Sequence, residues 1–291
     1  MLMKNFLVIL LFIMVSVTWG TTWLAMKLTV ETIPPIFATG IRFMLAAPVL
    51  ILISVLTKTR LLFPDGQKFF QLFVCIFYFS IPFSLMIYGE TYISPALASI
   101  IFSSMPVCVL FFSWLLLNEK AGIIAILGLV TSTVSLLAIL FIETNIGNNN
   151  QWVGIISLVI AVIMHALVYV QCKKRSCSIS VLTFNAIPSL VAGILLCIVG
   201  WIAEQPVISK FSQQSLLSVI YLGIIAGVFG ILCYFQLQNK ASAFQASTVF
   251  LVFPIIALLL DGYVYGRYFS LYSILLIIPL LTGVLLISLR K

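Results

Sequence analysis

"SPALASIIFSSMP", Ser94 to Pro106, recurs 148 residues on as "SAFQASTVFLVFP", Ser242 to Pro254. Each copy runs Ser, then Ala four residues later, then Ser, then Phe three further on, then Pro. The displacement is about half of the 291-residue chain. Both stretches are apolar enough for lipid, yet both carry serines and end in a residue that breaks helices. Ser94 and Ala98, like Ser242 and Ala246, stand four apart and so stack on one helix face. Small residues at that spacing let two backbones approach closely in a bilayer. Pro106 removes the hydrogen bond due at the Phe102 carbonyl, and Pro254 removes the one due at Phe250. A freed carbonyl in lipid is costly unless protein, a hydroxyl or water satisfies it, so both segments belong inside a bundle. Pro106 and Pro254 read as a matched pair of hinges, or else as kinks that serve packing alone.

The rest of the chain supports a lipid setting. It is 63% hydrophobic and 8% charged, too few charges to keep a soluble surface wetted. Ten segments have the roughly 20 apolar residues that a spanning helix needs. They are 6–26, 34–56, 69–89, 94–117, 122–142, 152–172, 181–203, 215–237, 242–261 and 270–289. The first follows Lys4 like a signal peptide, but no small-residue cleavage site comes after it, so it reads as a retained helix. The net charge of +8 is a topology signal rather than a mark of nucleic-acid binding. With the N-terminus inside, eleven Lys and Arg residues fall on the cytoplasmic face. Only Lys27, Lys210 and Arg267 fall near the outer one. Both termini are expected in the cytoplasm, with the chain multi-pass in an inner membrane. The six cysteines lie in or beside spans without metal-ligand spacing, and read as small buried filler.

The polar interval "ETNIGNNNQW", Glu143 to Trp152, divides five spans from five. Five is odd, so corresponding helices of the two halves cross the bilayer in opposite directions. The expected fold is all-α integral membrane: ten transmembrane helices as two inverted five-helix repeats. Residues 1–143 and 152–291 form the repeats, and 144–151 is an Asn-rich loop between them. Inverted repeats place a central site that is reached alternately from either side.

Further stretches carry a family resemblance. "TWGTTWLAMK" (18–27), "IPPIFATGIRFMLAA" (33–47), "ALASIIFSSMPVCVLFFSWLLLNEK" (96–120) and "KKR" (173–175) resemble the EamA-type repeat of the drug/metabolite transporter superfamily. The second copy continues the likeness through "YLGIIAGVFGILCYFQLQNKASAFQASTVFLVFPIIALLL" (221–260) and "LLTGVLLI" (280–287). The resemblance implies a ten-helix carrier of small metabolites, often an exporter of amino acids or related compounds. One departure stands out. Where the family pattern has Gly-Glu after helices four and nine, this chain has Asn118-Glu119 and Gly266-Arg267.

Within that frame some residues suit a transport site. Arg42, about 12 Å into the second span, needs a partner or water, and could hold a substrate carboxylate. A structural ion pair is its other reading. Lys27 beyond Trp19 and Trp23 offers a cation and an aromatic wall, or interfacial anchoring by Trp23. Glu90 could couple transport to protons, or be a solvated acid in a hairpin. Asp261 and Arg267 read as surface charges. His165 and Tyr169 share a face of the sixth span, and Ser99, Ser103 and Ser247 line the fourth and ninth. Such hydroxyls more often bond their own helix backbone. Gly223 and Gly227 form a close-packing motif. The sequence lacks paired carboxylates on a helix face and a phosphate loop, and its single histidine leaves little for catalysis. No enzyme, cofactor or metal is expected. The expected partners are a small-molecule substrate and the bilayer, with the chain a monomer or homodimer. The expected cargo is an amino acid or related zwitterion moving outward. Sugars, nucleotide-sugars and cationic drugs are the alternatives, and an embedded enzyme or structural subunit is a rival class.

Overall fold

The structure is a computed structural model that describes residues 2–118, 122–145, 150–175, 179–241, 246 and 249–288. Among these residues ten long helices follow one another. They are α1 (Leu2–Thr29), α2 (Pro35–Leu56), α3 (Lys68–Gly89), α4 (Pro95–Leu117), α5 (Ile123–Asn145), α6 (Gln151–Lys174), α7 (Val181–Glu204), α8 (Gln213–Lys240), α9 (Val249–Tyr265) and α10 (Leu271–Ser288). Eight are long and apolar enough to cross a membrane, and the two shorter apolar helices α9 and α10 complete the set. The ten expected spans each coincide with one of them.

Local chemistry sets the helix starts. Ser94, Ser180, Ser212 and Ser270 each accept a hydrogen bond from the amide three residues on. Each thereby satisfies one of the donors that a helix start leaves free. Prolines occupy the first turns of α2 and α4, where the missing N–H costs nothing. Acids from neighbouring helices complete the ends. The two carboxylate oxygens of Glu204, at the end of α7, accept from the amides of Ile36 and Phe37 at 2.9 and 2.8 Å. Glu143, near the end of α5, accepts from the amide and hydroxyl of Ser270, at 3.4 and 3.3 Å.

The packing repeats with the sequence. Helix α2 lies along α7, α5 along α10, and α4 along α9. Helix α1 packs on α8 and α9, while α6 packs on α3 and α4. Exchanging each helix for its counterpart five places on leaves this set of neighbours unchanged, as two repeats around one pseudo-two-fold axis require. The α5–α10 seam is closed at Gly128 and Gly283. A Cβ on Gly283 would stand 2.3 Å from Ser132 Oγ and 2.6 Å from the Gly128 carbonyl oxygen. Replacing Gly283 with Val is therefore expected to lower the melting temperature of the detergent-solubilised protein, by the order of 1–3 kcal/mol in stability that overpacking costs. An unchanged melting temperature would show that the two helices separate without penalty.

Two features depart from the expected symmetry and regularity. Helix α4 is interrupted at Ser104, which divides it into Pro95–Ser103 and Met105–Leu117. Beside the break, the hydroxyls of Ser103 and Ser104 donate to the carbonyls of Ile100 and Ile101, at 2.7 and 2.6 Å. Helix α9 runs unbroken through Pro254 from Val249 onward, so the two prolines sit in unlike local geometry. The stretch just before Val249 lies largely outside the described residues. Helices α3 and α8 each contain a π-helical stretch, Cys75–Ser80 and Tyr221–Gly230. These stretches stand at corresponding places of the two repeats.

Candidate functional site

Eight helices enclose a cavity of about 500 Å³, to which α5 and α10 contribute no side chain. It extends from Cys172, Ile179, Val181 and Gln238 to Trp23 and Met86 deep in the bundle. The first group lies at the end of the molecule that carries Lys173, Lys174, Arg175 and Lys240. Both π-helical stretches border the cavity, α3 through Tyr78 and Phe79, α8 through Ala226 and Gly227. A wider turn of this kind is a recurrent mark of functional helices. Pro106 and Met105, just past the break in α4, also face the cavity.

The walls are aromatic. The Trp19 ring lies 4.6 Å from Tyr234 and 6.0 Å from Phe250, and Trp23 lies 5.4 Å from Phe102 and 6.3 Å from Phe253. Trp23 is 3% exposed, so it lines the bundle interior and does not anchor the chain at an interface.

Two polar groups stand among these rings. Arg42 is 7% exposed, and its guanidinium carbon sits 4.9 Å over the Phe83 ring. Its Nη1 approaches the Met26 sulfur at 3.9 Å, and its Nε makes no hydrogen bond among the described residues. No described carboxylate comes within ion-pair distance of it; the ion pair found is Lys68–Asp65, at the surface. A buried guanidinium held only by rings and a thioether has donors to spare. His165 is 2% exposed and packs edge-on to Tyr78, Phe83 and Phe102. Its Nδ1 lies 2.9 Å from the Ala161 carbonyl, which can only accept. Nδ1 therefore carries the proton, and Nε2 of the neutral ring is an acceptor. Arg42 and His165 thus both pack on one ring, Phe83, and bring donors and an acceptor to the same wall.

The cavity gathers Trp19, Trp23, Arg42, Pro106, His165 and Tyr169 from among the residues singled out in the sequence. It leaves out the others. Lys27 donates its ammonium to the carbonyls of Glu90 and Ile93 and does not line the cavity. Ser99 and Ser103 bond their own helix at Ala96 and Ile100, both at 2.7 Å. Pro254 is buried away from the cavity, and Ser247 lies outside the described residues. The sequence reading missed Tyr78, Asn185 and Tyr234. A lone tyrosine or asparagine within an apolar span was the signal available for each.

Beyond the deep end of the cavity the bundle is closed, and here the surface reading of Asp261 and the solvated-acid reading of Glu90 both fail. Glu90 is 0% exposed and Asp261 is 1% exposed, so neither is a solvated surface acid. Both lie under the packed start of α4, where Asp261 faces the Ser94 hydroxyl and the Ala96 amide without completing a hydrogen bond. Burial pushes the Glu90 carboxyl well above the usual carboxylate range, against the opposing pull of Lys27.

Comparison with known proteins gives the site its context. The model of the EamA-like transporter family matches the chain twice, over residues 6–141 and 152–289. Protein PagO of Salmonella typhimurium is 58% identical over 98% of this chain and 93% of its own length. A transporter of Buchnera aphidicola subsp. Schizaphis graminum is 51% identical over 98% and 95%. The inner membrane transporter YedA of Escherichia coli is 26% identical over 94% and 88%. A solved crystal structure, 15% identical, superposes with a TM-score of 0.69 over 96% of this chain and 95% of its own, a likeness of fold.

Proposed function

From the chain's membership of the EamA-like transporter family, which makes it a multi-pass membrane transporter, we propose that its cargo is a small amphipathic metabolite bearing a carboxylate. An amino acid or a related zwitterion fits best. The observation that carries this reading is Arg42, a buried guanidinium on the cavity wall with no protein carboxylate in ion-pair range among the described residues. An unpaired arginine inside a membrane is expensive, and a bound carboxylate would relieve it bidentately. His165 Nε2 stands ready to accept from an ammonium or hydroxyl of the same ligand. Trp19, Trp23 and Tyr234 would enclose its apolar part. A cationic drug would instead meet the charge of Arg42 head on.

Orientation follows the charge bias. The cavity reaches the end of the bundle that is rich in Lys and Arg, so the face proposed to be open in this state is the cytoplasmic one, where both termini also lie. The two repeats then rock about the central site, and the break at Ser104 beside Pro106 lets the two parts of α4 move separately. Counterflow in proteoliposomes tests the cargo. Vesicles preloaded with unlabelled amino acids should accumulate the matching labelled one, and vesicles preloaded with neutral sugars should not. Counterflow with sugars alone would overturn the proposal.

A further inference from the structure

The closed end of the bundle contains an acid whose carboxyl makes no hydrogen bond or ion pair among the described residues. Glu90 is fully buried in the connection between α3 and α4, and neither carboxyl oxygen makes a hydrogen bond among the described residues. The charged groups that act on it come from three helices: Lys27 of α1, Arg42 of α2 and Asp261 of α9. The Lys27 ammonium is the nearest cation, but it donates to the backbone carbonyls of Glu90 and Ile93 and makes no ion pair with the carboxyl. Asp261 repels a negative charge on Glu90 and is itself turned toward Ser94 and Ala96. Arg42 is the second cation: its guanidinium lies over Phe83, about two helical turns before Glu90, and beside Met26, the neighbour of Lys27, and its Nε makes no hydrogen bond among the described residues. Arg42 and Glu90, both buried and each with unpaired polar atoms, do not pair with one another in this state.

A carboxylate so placed is not held ionised; it takes a proton. A metal cation is a poor alternative occupant, because Lys27 already brings a positive charge to the same group. We infer that Glu90 is a proton-binding site coupled to the cavity through Arg42, so that one proton crosses with each carboxylate-bearing substrate. With the proton on Glu90, Arg42 is free to pair with the substrate. When the substrate leaves, Arg42 turns to Glu90, the O–H bond breaks, and the proton passes to water on the side then open. The inference rests on the proposed cargo only for the identity of the travelling partner. It reverses the direction expected from the sequence. An inward proton gradient drives such a carrier toward uptake, and outward flow then needs a substrate gradient.

Two measurements on the whole protein test this. Infrared difference spectra of reconstituted wild type against Glu90→Gln, at neutral pH without substrate, should show a protonated carboxyl band that the variant lacks. An identical pair of spectra overturns the site. In proteoliposomes given a mixture of labelled proteinogenic amino acids, one acid unit of external pH should raise the wild-type accumulation ratio about tenfold. In Glu90→Gln that ratio should not respond to pH. A response of opposite sign, or an equal response in the variant, overturns the coupling. If no amino acid moves in wild type while the carboxyl band is present, the cargo is wrong and the proton site stands.

Discussion

Arg42→Gln is expected to reduce transport by about two to four orders of magnitude while leaving abundance in the membrane unchanged. The size follows from charged hydrogen bonds, worth about 1.5–3 kcal/mol each, of which a bidentate carboxylate loses two. Each 1.4 kcal/mol is about tenfold. Unchanged abundance follows from the structure, because removing the guanidinium strands no carboxylate in ion-pair contact with it. Had Arg42 been one half of a buried ion pair in this state, truncation would leave an uncompensated charge and the protein would fail to accumulate; Glu90, without Arg42, keeps its proton. Arg42→Lys should fall between the two, since it keeps the charge and loses the fork. Quantitative immunoblotting beside initial counterflow rates makes the comparison. Full transport by Arg42→Gln would remove Arg42 from the binding site.

Glu204→Ala is expected to give the largest loss of stability among surface-proximal substitutions. Its two oxygens hold the first free amides of α2 from the end of α7. Both donors would lose a charged acceptor, at about 1.5–3 kcal/mol apiece, and the start of α2 would lose the negative charge that its dipole favours. Glu204→Gln keeps one carbonyl oxygen and should lose roughly half as much. Melting temperatures of the three proteins in detergent decide it. Equal values for Ala and wild type would mean that solvent replaces the carboxylate without cost.

The succession of spans was open to reading because lipid imposes a length and a composition on every crossing, and the duplicated Ser–Ala–Ser–Phe–Pro pattern exposed the two halves. Arg42, Trp19 and His165 stood out for the same reason: a polar or amphipathic group in an apolar run needs a partner inside the bundle. Which face of each helix lines the cavity was not legible. In a soluble helix the polar face marks the outside, whereas here both faces are apolar, and Ser99 and Ser103 look no different in sequence from a serine that faces the cavity. Glu90 and Asp261 misled because an acid near a span end is ordinarily wetted. Their burial depends on how α4 and α9 pack over them, which no local pattern records. Lys27 sits apart from the cavity, since two backbone carbonyls of the α3–α4 connection take its ammonium.

The π-helical stretch of α3 has one more consequence. An α-helix advances about 100° per residue, and a turn that closes on the fifth residue instead of the fourth inserts one residue's worth of rotation. The two parts of α3 are therefore out of phase. Lys68–Val74 presents its apolar face to α7, and Ile81–Gly89 presents its own to α6. No single stripe can be drawn along this helix, and a periodicity fitted through residues 75–80 averages two incompatible directions. Between Cys75 and Ser80 the number of residues carries as much information as their kinds. A deletion there would swing Tyr78, Phe79 or everything beyond them round the helix axis, away from the cavity that they now face.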